Sequence, residues 1–128
     1  MDPRRILLYA MTFCLATSAH AVRVSGLRCE YRVDPMGIDV AAPRLSWQLD
    51  TGRQTAYQIA AAGLWDSGKV ASSASLNVPY GGPALASSQR VAWRVRVWDE
   101  QGKASDWSAL ASFTMGLLKP ADWQAQWI

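Results

Sequence analysis

Apolar and polar residues alternate with a period of two along most of this chain, and beyond residue 21 almost no stretch repeats its apolar residues at helical spacing. Alternation at that period puts successive side chains on opposite faces of an extended backbone, so each run reads as a half-buried strand. Leu27, Cys29, Tyr31 and Val33 alternate with Arg28, Glu30 and Arg32 until Pro35 and Gly37 end the run. Pro43 opens a second run, in which Leu45, Trp47 and Leu49 alternate with Arg44, Ser46, Gln48 and Asp50. Tyr57, Ile59 and Ala61 make a third; Leu76, Val78 and Tyr80 make a short fourth that stops at Gly81-Gly82-Pro83, a strong breaker. The clearest run covers residues 89–98, with Val91, Trp93, Val95 and Val97 on one face and Ala92, Arg94, Arg96 and Trp98 on the other. A turn at Asp99-Glu100-Gln101-Gly102, where the glycine supplies a positive φ, leads to a last strand over residues 110–115. With a weak strand near residues 69–72, these about seven short strands predict an all-β fold, a seven-stranded antiparallel β-sandwich.

The first 21 residues fall outside that pattern. Arg4 and Arg5 precede an apolar stretch at residues 6–16, and Ala19-His20-Ala21 follows with small residues flanking one arbitrary position. This is the arrangement of a cleavable signal peptide, and the apolar stretch falls short of the ~20 residues a spanning helix needs. Cys14 follows Met11-Thr12-Phe13 and lacks the small residues of a lipoprotein signal. The expected organisation is a leader at 1–21, a sandwich at 22–118 and a junction at 119–128, with a secreted or periplasmic destination and no membrane attachment after cleavage.

Composition narrows the chemistry. Removing the leader takes Arg4, Arg5 and Asp2 from the 13 basic and 10 acidic side chains, leaving eleven and nine. That balance gives no support for a nucleic-acid partner, which normally shows a concentrated basic stripe. Cys14 and the single His, His20, leave with the leader, so the remainder holds Cys29 as its one cysteine and no histidine. An internal disulfide is then impossible, and catalytic triads and imidazole metal sites are excluded. Cys29 shares its face with Leu27 and Tyr31 and reads as a small buried hydrophobe. Most carboxylates stand at turns, as in Asp34-Pro35 and Asp66-Ser67-Gly68, where Asp caps backbone amides. Glu30 stands beside Arg28 and Arg32, where surface pairing contributes little. No catalytic residue, cofactor or metal site is expected.

Trp47 and Trp93 lie on apolar strand faces and read as core. Trp98 lies on the face that carries Arg94 and Arg96, and Trp107 sits in Ser105-Asp106-Trp107-Ser108 before the last strand. A neighbouring strand that carried Trp107 over the guanidinium groups would build an arginine–tryptophan ladder, at about 0.5–1 kcal/mol for an exposed pair. The alternative is a sugar-stacking platform on Trp65, Trp98 or Trp107, because exposed indoles also pack on the apolar face of a pyranose. The arginines account for the tryptophans without a ligand, so the ladder is the expected reading. At the far end, Trp123, Trp127 and Ile128 make a poor free terminus and are expected to be contacts with a following domain.

Leu27-Arg28-Cys29-Glu30-Tyr31, Pro35-Met36-Gly37-Ile38-Asp39, Pro43-Arg44-Leu45-Ser46-Trp47 and Gln54-Thr55-Ala56-Tyr57-Gln58-Ile59 resemble the opening of bacterial α-L-rhamnosidases. Trp65-Asp66-Ser67-Gly68-Lys69-Val70 and Trp93-Arg94-Val95-Arg96-Val97-Trp98-Asp99 continue the resemblance in order, and Gly116-Leu117-Leu118 with Asp122-Trp123 through Trp127-Ile128 is similar to the family's junction. The resemblance implies a fibronectin type III-like or immunoglobulin-like N-terminal domain without catalytic residues. It also implies that a further β-domain, an (α/α)₆ barrel with the catalytic acid and base, and a C-terminal β-domain follow. The activity it implies is inverting hydrolysis of terminal α-L-rhamnose, so the expected partners are the following domains of the same polypeptide and rhamnose-containing glycans. A departure lies between Ile59 and Trp65, where Ala60-Ala61-Ala62-Gly63-Leu64 is shorter than the family's usual loop. Gly63 can still supply the turn of a tight hairpin. A free-standing adhesion module is a third reading, since sandwiches host many functions.

Overall fold

The structure is a computed structural model that describes residues 22–119. Eight strands form in chain order: β1 (Val24–Cys29), β2 (Met36–Ile38), β3 (Arg44–Leu49), β4 (Ala56–Ala61), β5 (Trp65–Asp66), β6 (Val78–Pro79), β7 (Arg90–Trp98) and β8 (Ala111–Met115). They build a three-stranded sheet in the order β1-β3-β6 and a five-stranded sheet in the order β2-β8-β7-β4-β5. The inward positions of both sheets meet in one core, with Leu45 and Trp47 from the small sheet and Ile59, Trp93, Val95, Val97, Phe113 and Met115 from the large one. Trp93 is 1% exposed and its indole N–H has no hydrogen-bond partner among the described residues. Leaving such a donor unmade costs about 1–3 kcal/mol, which the packing of the ring must outweigh.

The sandwich expected from the alternation is present, with corrections at its margins. It has eight strands where about seven were predicted, and the β2–β8 pair is parallel. β2 is three residues around Gly37, whose φ is +81°, too short to show a period. The first strand ends at Cys29 and does not run on to Val33. Glu30 and Tyr31 have φ of 49° and 66°, and Cys29 and Arg32 exchange both backbone hydrogen bonds across them, making a two-residue hairpin turn. Tyr31 and Val33 therefore stand 50% and 62% exposed instead of continuing the apolar face of Leu27 and Cys29. Glu30, expected beside Arg28 and Arg32, instead accepts from Arg44 Nε at 3.0 Å and Nη2 at 2.7 Å. This bidentate pair holds the Glu30 carboxyl below its ordinary pKa, chiefly through the hydrogen bonds from Arg44.

Leu76 is exposed while Val78 and Tyr80 are buried, because Asn77 between them has φ 59° and turns the chain. The weak strand near residues 69–72 is a single bridge, Val70 to Tyr57. Beyond it the chain leaves the large sheet for the small one, where Trp47 N donates to Ser75 O. Gln54, 5% exposed, stitches that crossing: its Oε1 accepts from Trp47 Nε1 at 2.9 Å, and its Nε2 donates to the Ser72 and Ala74 carbonyls at 3.0 and 2.7 Å. The short segment after Ile59 closes as the β4–β5 hairpin, with Ala61 paired to Trp65 and Gly63 at φ +70° in the turn. Trp65 packs edge-on against Tyr80 at 5.1 Å, and Gly82 approaches both so closely that any Cβ there would collide with the Tyr80 hydroxyl.

Gln54→Ala should lower stability by about 2 kcal/mol, because an indole N–H and two carbonyls lose a buried partner together. Thermal unfolding should show this as a melting temperature roughly 10 °C lower. Burial pushes the Cys29 thiol up to about 12, so it stays protonated and shielded at any ordinary pH. Alkylation followed by peptide mapping at mild alkaline pH should leave Cys29 unmodified in the native chain and modify it once denaturant is added.

Candidate functional site: an arginine–tryptophan stack on the large sheet

The outward face of β7 carries Arg94, Arg96 and Trp98, the positions left over once Val91, Trp93, Val95 and Val97 turn inward. On β4, Ala60 stands opposite Arg94, Gln58 opposite Arg96 and Ala56 opposite Trp98. β8 pairs only with the first part of β7, up to Trp93 and Ala111. Alongside the second part runs the segment 104–108, in which two serines three residues apart replace regular ladder pairing. Ser105 N donates to Val97 O at 2.7 Å while Ser105 Oγ accepts from Val97 N at 3.0 Å. Ser108 repeats the arrangement on Val95, donating through N at 2.8 Å and accepting through Oγ at 3.0 Å. The two hydroxyls serve as carbonyl surrogates and pin Trp107, which lies between them, over the arginines.

The resulting stack alternates cation and ring. Arg94 lies 4.4 Å from the Trp107 ring centroid and Arg96 lies 4.7 Å from it. Arg96 is also 5.2 Å from the Trp98 centroid, and Lys69 Nζ is 4.9 Å from the same ring. Each indole thus shares its π density with two cations. Behind the stack, Arg96 Nε donates to Gln58 Oε1 at 3.0 Å, and Gln58 Nε2 donates to Asp66 Oδ1 at 2.8 Å. Asp66 also accepts from Gly68 N at 2.8 Å. Its pKa lies below the ordinary carboxylate value, first through the Gln58 hydrogen bond, then the Gly68 amide and the charge of Arg96. The carboxylate therefore stays ionised and holds Gln58, which aims Arg96.

All four sequence-predicted residues of this face, Arg94, Arg96, Trp98 and Trp107, come together in the stack. Sequence reasoning missed Lys69, Gln58 and Asp66. Lys69 joins because the isolated Val70–Tyr57 bridge lays its segment beside β4, a long-range pairing that local alternation does not report. Trp65, the third possible sugar-stacking residue, is instead engaged with Tyr80. Trp123, Trp127 and Ile128 lie outside the described residues, as do residues 1–21, where a leader is expected. Among the described residues no three metal-ligating side chains converge. Several carboxylates satisfy backbone amides: Asp34 accepts from Ser112 N, Asp50 from Arg23 N, and Asp99 from the amides of Gln101 and Lys103.

Trp107→Ala should cost about 1–2 kcal/mol, the sum of two exposed cation–π contacts. Trp107→Phe should recover part of that loss in thermal unfolding, because a smaller ring still faces both guanidiniums.

Known proteins share this fold and much of its sequence. Residues 24–119 match the family described as "Rha78A-like, N-terminal immunoglobulin domain". An α-L-rhamnosidase of Streptomyces avermitilis is 46% identical over 121 residues, which cover 84% of this chain and 12% of that protein. An α-L-rhamnosidase of Alteromonas sp. is 40% identical over 136 residues, 91% of this chain and 15% of its own length. The crystal structure of Streptomyces avermitilis α-L-rhamnosidase complexed with L-rhamnose superposes with a TM-score of 0.78 at 43% identity, over 80% of this chain and 11% of that one. The α-L-rhamnosidase structure from Dictyoglumus thermophilum gives 0.75 at 31% identity, over 79% of this chain and 13% of that one. The chain spans about an eighth of the length of the curated relatives it matches. By sequence and by fold, residues 24–119 place this chain in the Rha78A-like family of N-terminal immunoglobulin domains, which it shares with α-L-rhamnosidases.

Proposed function

We propose that this chain is the non-catalytic N-terminal accessory module of an exported α-L-rhamnosidase, a glycoside hydrolase whose complete form removes terminal α-L-rhamnose from glycosides. The observation that carries this reading is the match of nearly the whole described domain to a family defined as N-terminal, in relatives roughly eight times longer. The domain's own chemistry agrees with it. Its one described cysteine is buried and protonated, its residues after the leader include no histidine, and several of its carboxylates are bonded to backbone amides or to Arg44. The leader at residues 1–21 would send it to the periplasm or the medium, and Trp123, Trp127 and Ile128 would seat it on the domain that follows. Neutral sugar stacking has less support, since a pyranose would have to displace a cation from either indole of the stack.

The chain by itself should release no phenol from an aryl α-L-rhamnoside. Turnover that survives repurification and changes on substitution within residues 22–119 would overturn the reading. The nucleotide sequence after the Ile128 codon is the second check: an open frame encoding a catalytic rhamnosidase domain is expected, and an immediate stop codon would instead favour a free-standing module.

A further inference from the structure

The stack leaves one kind of chemistry unused. Guanidinium groups that lie on indole rings spend their flat faces, and their N–H edges remain available to acceptors in their own plane. Among the described residues the Arg94 guanidinium engages the Trp107 ring and donates no hydrogen bond within the protein, while Arg96 uses only its Nε, toward Gln58. Arg94 is exposed, and its neighbours on the same face are Ala60 across the ladder and Ala92 two residues earlier, both too small to cover it. Arg90 continues the same row, and Ser112 and Thr114 of β8 stand opposite Ala92 and Arg90. At about 3.4 Å per residue, the Cα atoms of Arg94 and Arg96 are roughly 7 Å apart and those of Arg90 and Arg94 roughly 14 Å. Lys69 extends the positive strip past Trp98. Opposing carboxylates are few: Asp66 is held by Gln58 and Gly68, and Asp106 precedes Trp107 in the exposed segment.

We propose that this outer face, centred on Arg94 and Arg96, binds acidic glycans through their carboxylate or sulfate groups. A bidentate fork that is already oriented by its ring partner loses little side-chain entropy on taking up a planar anion. The same pairing that occupies the indoles thereby shifts the face from neutral sugar stacking to anion recognition. Choosing a glycan among polyanions rests on the glycoside-hydrolase reading above, whereas the binding measurement involves no hydrolysis, so each can fail without the other.

The test is affinity electrophoresis of the 128-residue chain through gels containing polygalacturonate, dextran sulfate or neutral dextran. Retardation by at least one acidic polymer, absent with dextran and abolished near 1 M salt, where the Debye length is about 3 Å, is the expected result. Arg94→Gln should weaken binding about 10-fold, the tenfold-per-1.4 kcal/mol scale of one charge-assisted contact. Arg28→Gln, which removes an equal charge from the other sheet, should leave binding unchanged. Circular dichroism and melting of both variants separate lost binding from lost fold. Retention by carboxylate or by sulfate polymer alone assigns the anion class. No retention, equal retention on dextran, equal loss in Arg28→Gln, or tighter retention on a single-stranded oligonucleotide would each overturn the proposal.

Discussion

The hydrogen-bonded register of β7 couples the interior of this sandwich to its outer surface. Each of its residues from Val91 to Trp98 presents to one side only, and the strand is paired along both edges. Four apolar side chains go into the core, while two arginines and a tryptophan go out. A slip of one residue would send all of them to the wrong side, burying guanidinium groups and exposing Trp93. Core packing and the external stack therefore select the same register and reinforce each other. The serine pair at positions 105 and 108 completes this by satisfying amides of β7 where β8 does not reach.

The small sheet depends on a different device. Its strands are short, and β6 has only two residues, so backbone pairing alone gives it little hold. Gln54 compensates from the loop before β4, joining the indole of Trp47 to two carbonyls of the crossing segment. The Glu30–Arg44 pair closes the other end, where β3 begins. It is a surface pair, and its worth lies in fixing the turn after β1 more than in its Coulomb energy. Polar side chains thus do at the margins what apolar packing does at the centre.

The outer face of the large sheet is built from cations and rings. In the stack each indole engages two cations, Trp107 those of Arg94 and Arg96 and Trp98 those of Arg96 and Lys69. On the same face Asp66 is held below the ordinary carboxylate pKa by Gln58 and the Gly68 amide, and the groups around it are cations, amides and rings, with the hydroxyls of Ser112 and Thr114 farther along the row.

Much of the arrangement was legible in the residues because the relevant rule is local. A period of two decides which side of a strand each residue faces, so Arg94, Arg96 and Trp98 could be assigned to one surface and Trp93 to the core before any fold was known. Trp107 could be joined to them because its segment directly precedes the last strand. The turn at Glu30 and Tyr31 was not legible: the alternation through Leu27, Cys29, Tyr31 and Val33 is unbroken, and only the left-handed backbone at two non-glycine residues ends it. Nor were Lys69, Gln58 and Asp66, which reach the stack through pairings between segments distant in the chain. The residues by themselves determined the faces of the regular strands and a single core, because each follows from identity and parity. Tertiary structure decided the parallel β2 edge, the partner of Glu30 and the full membership of the stack, because those depend on which distant backbones come to lie side by side.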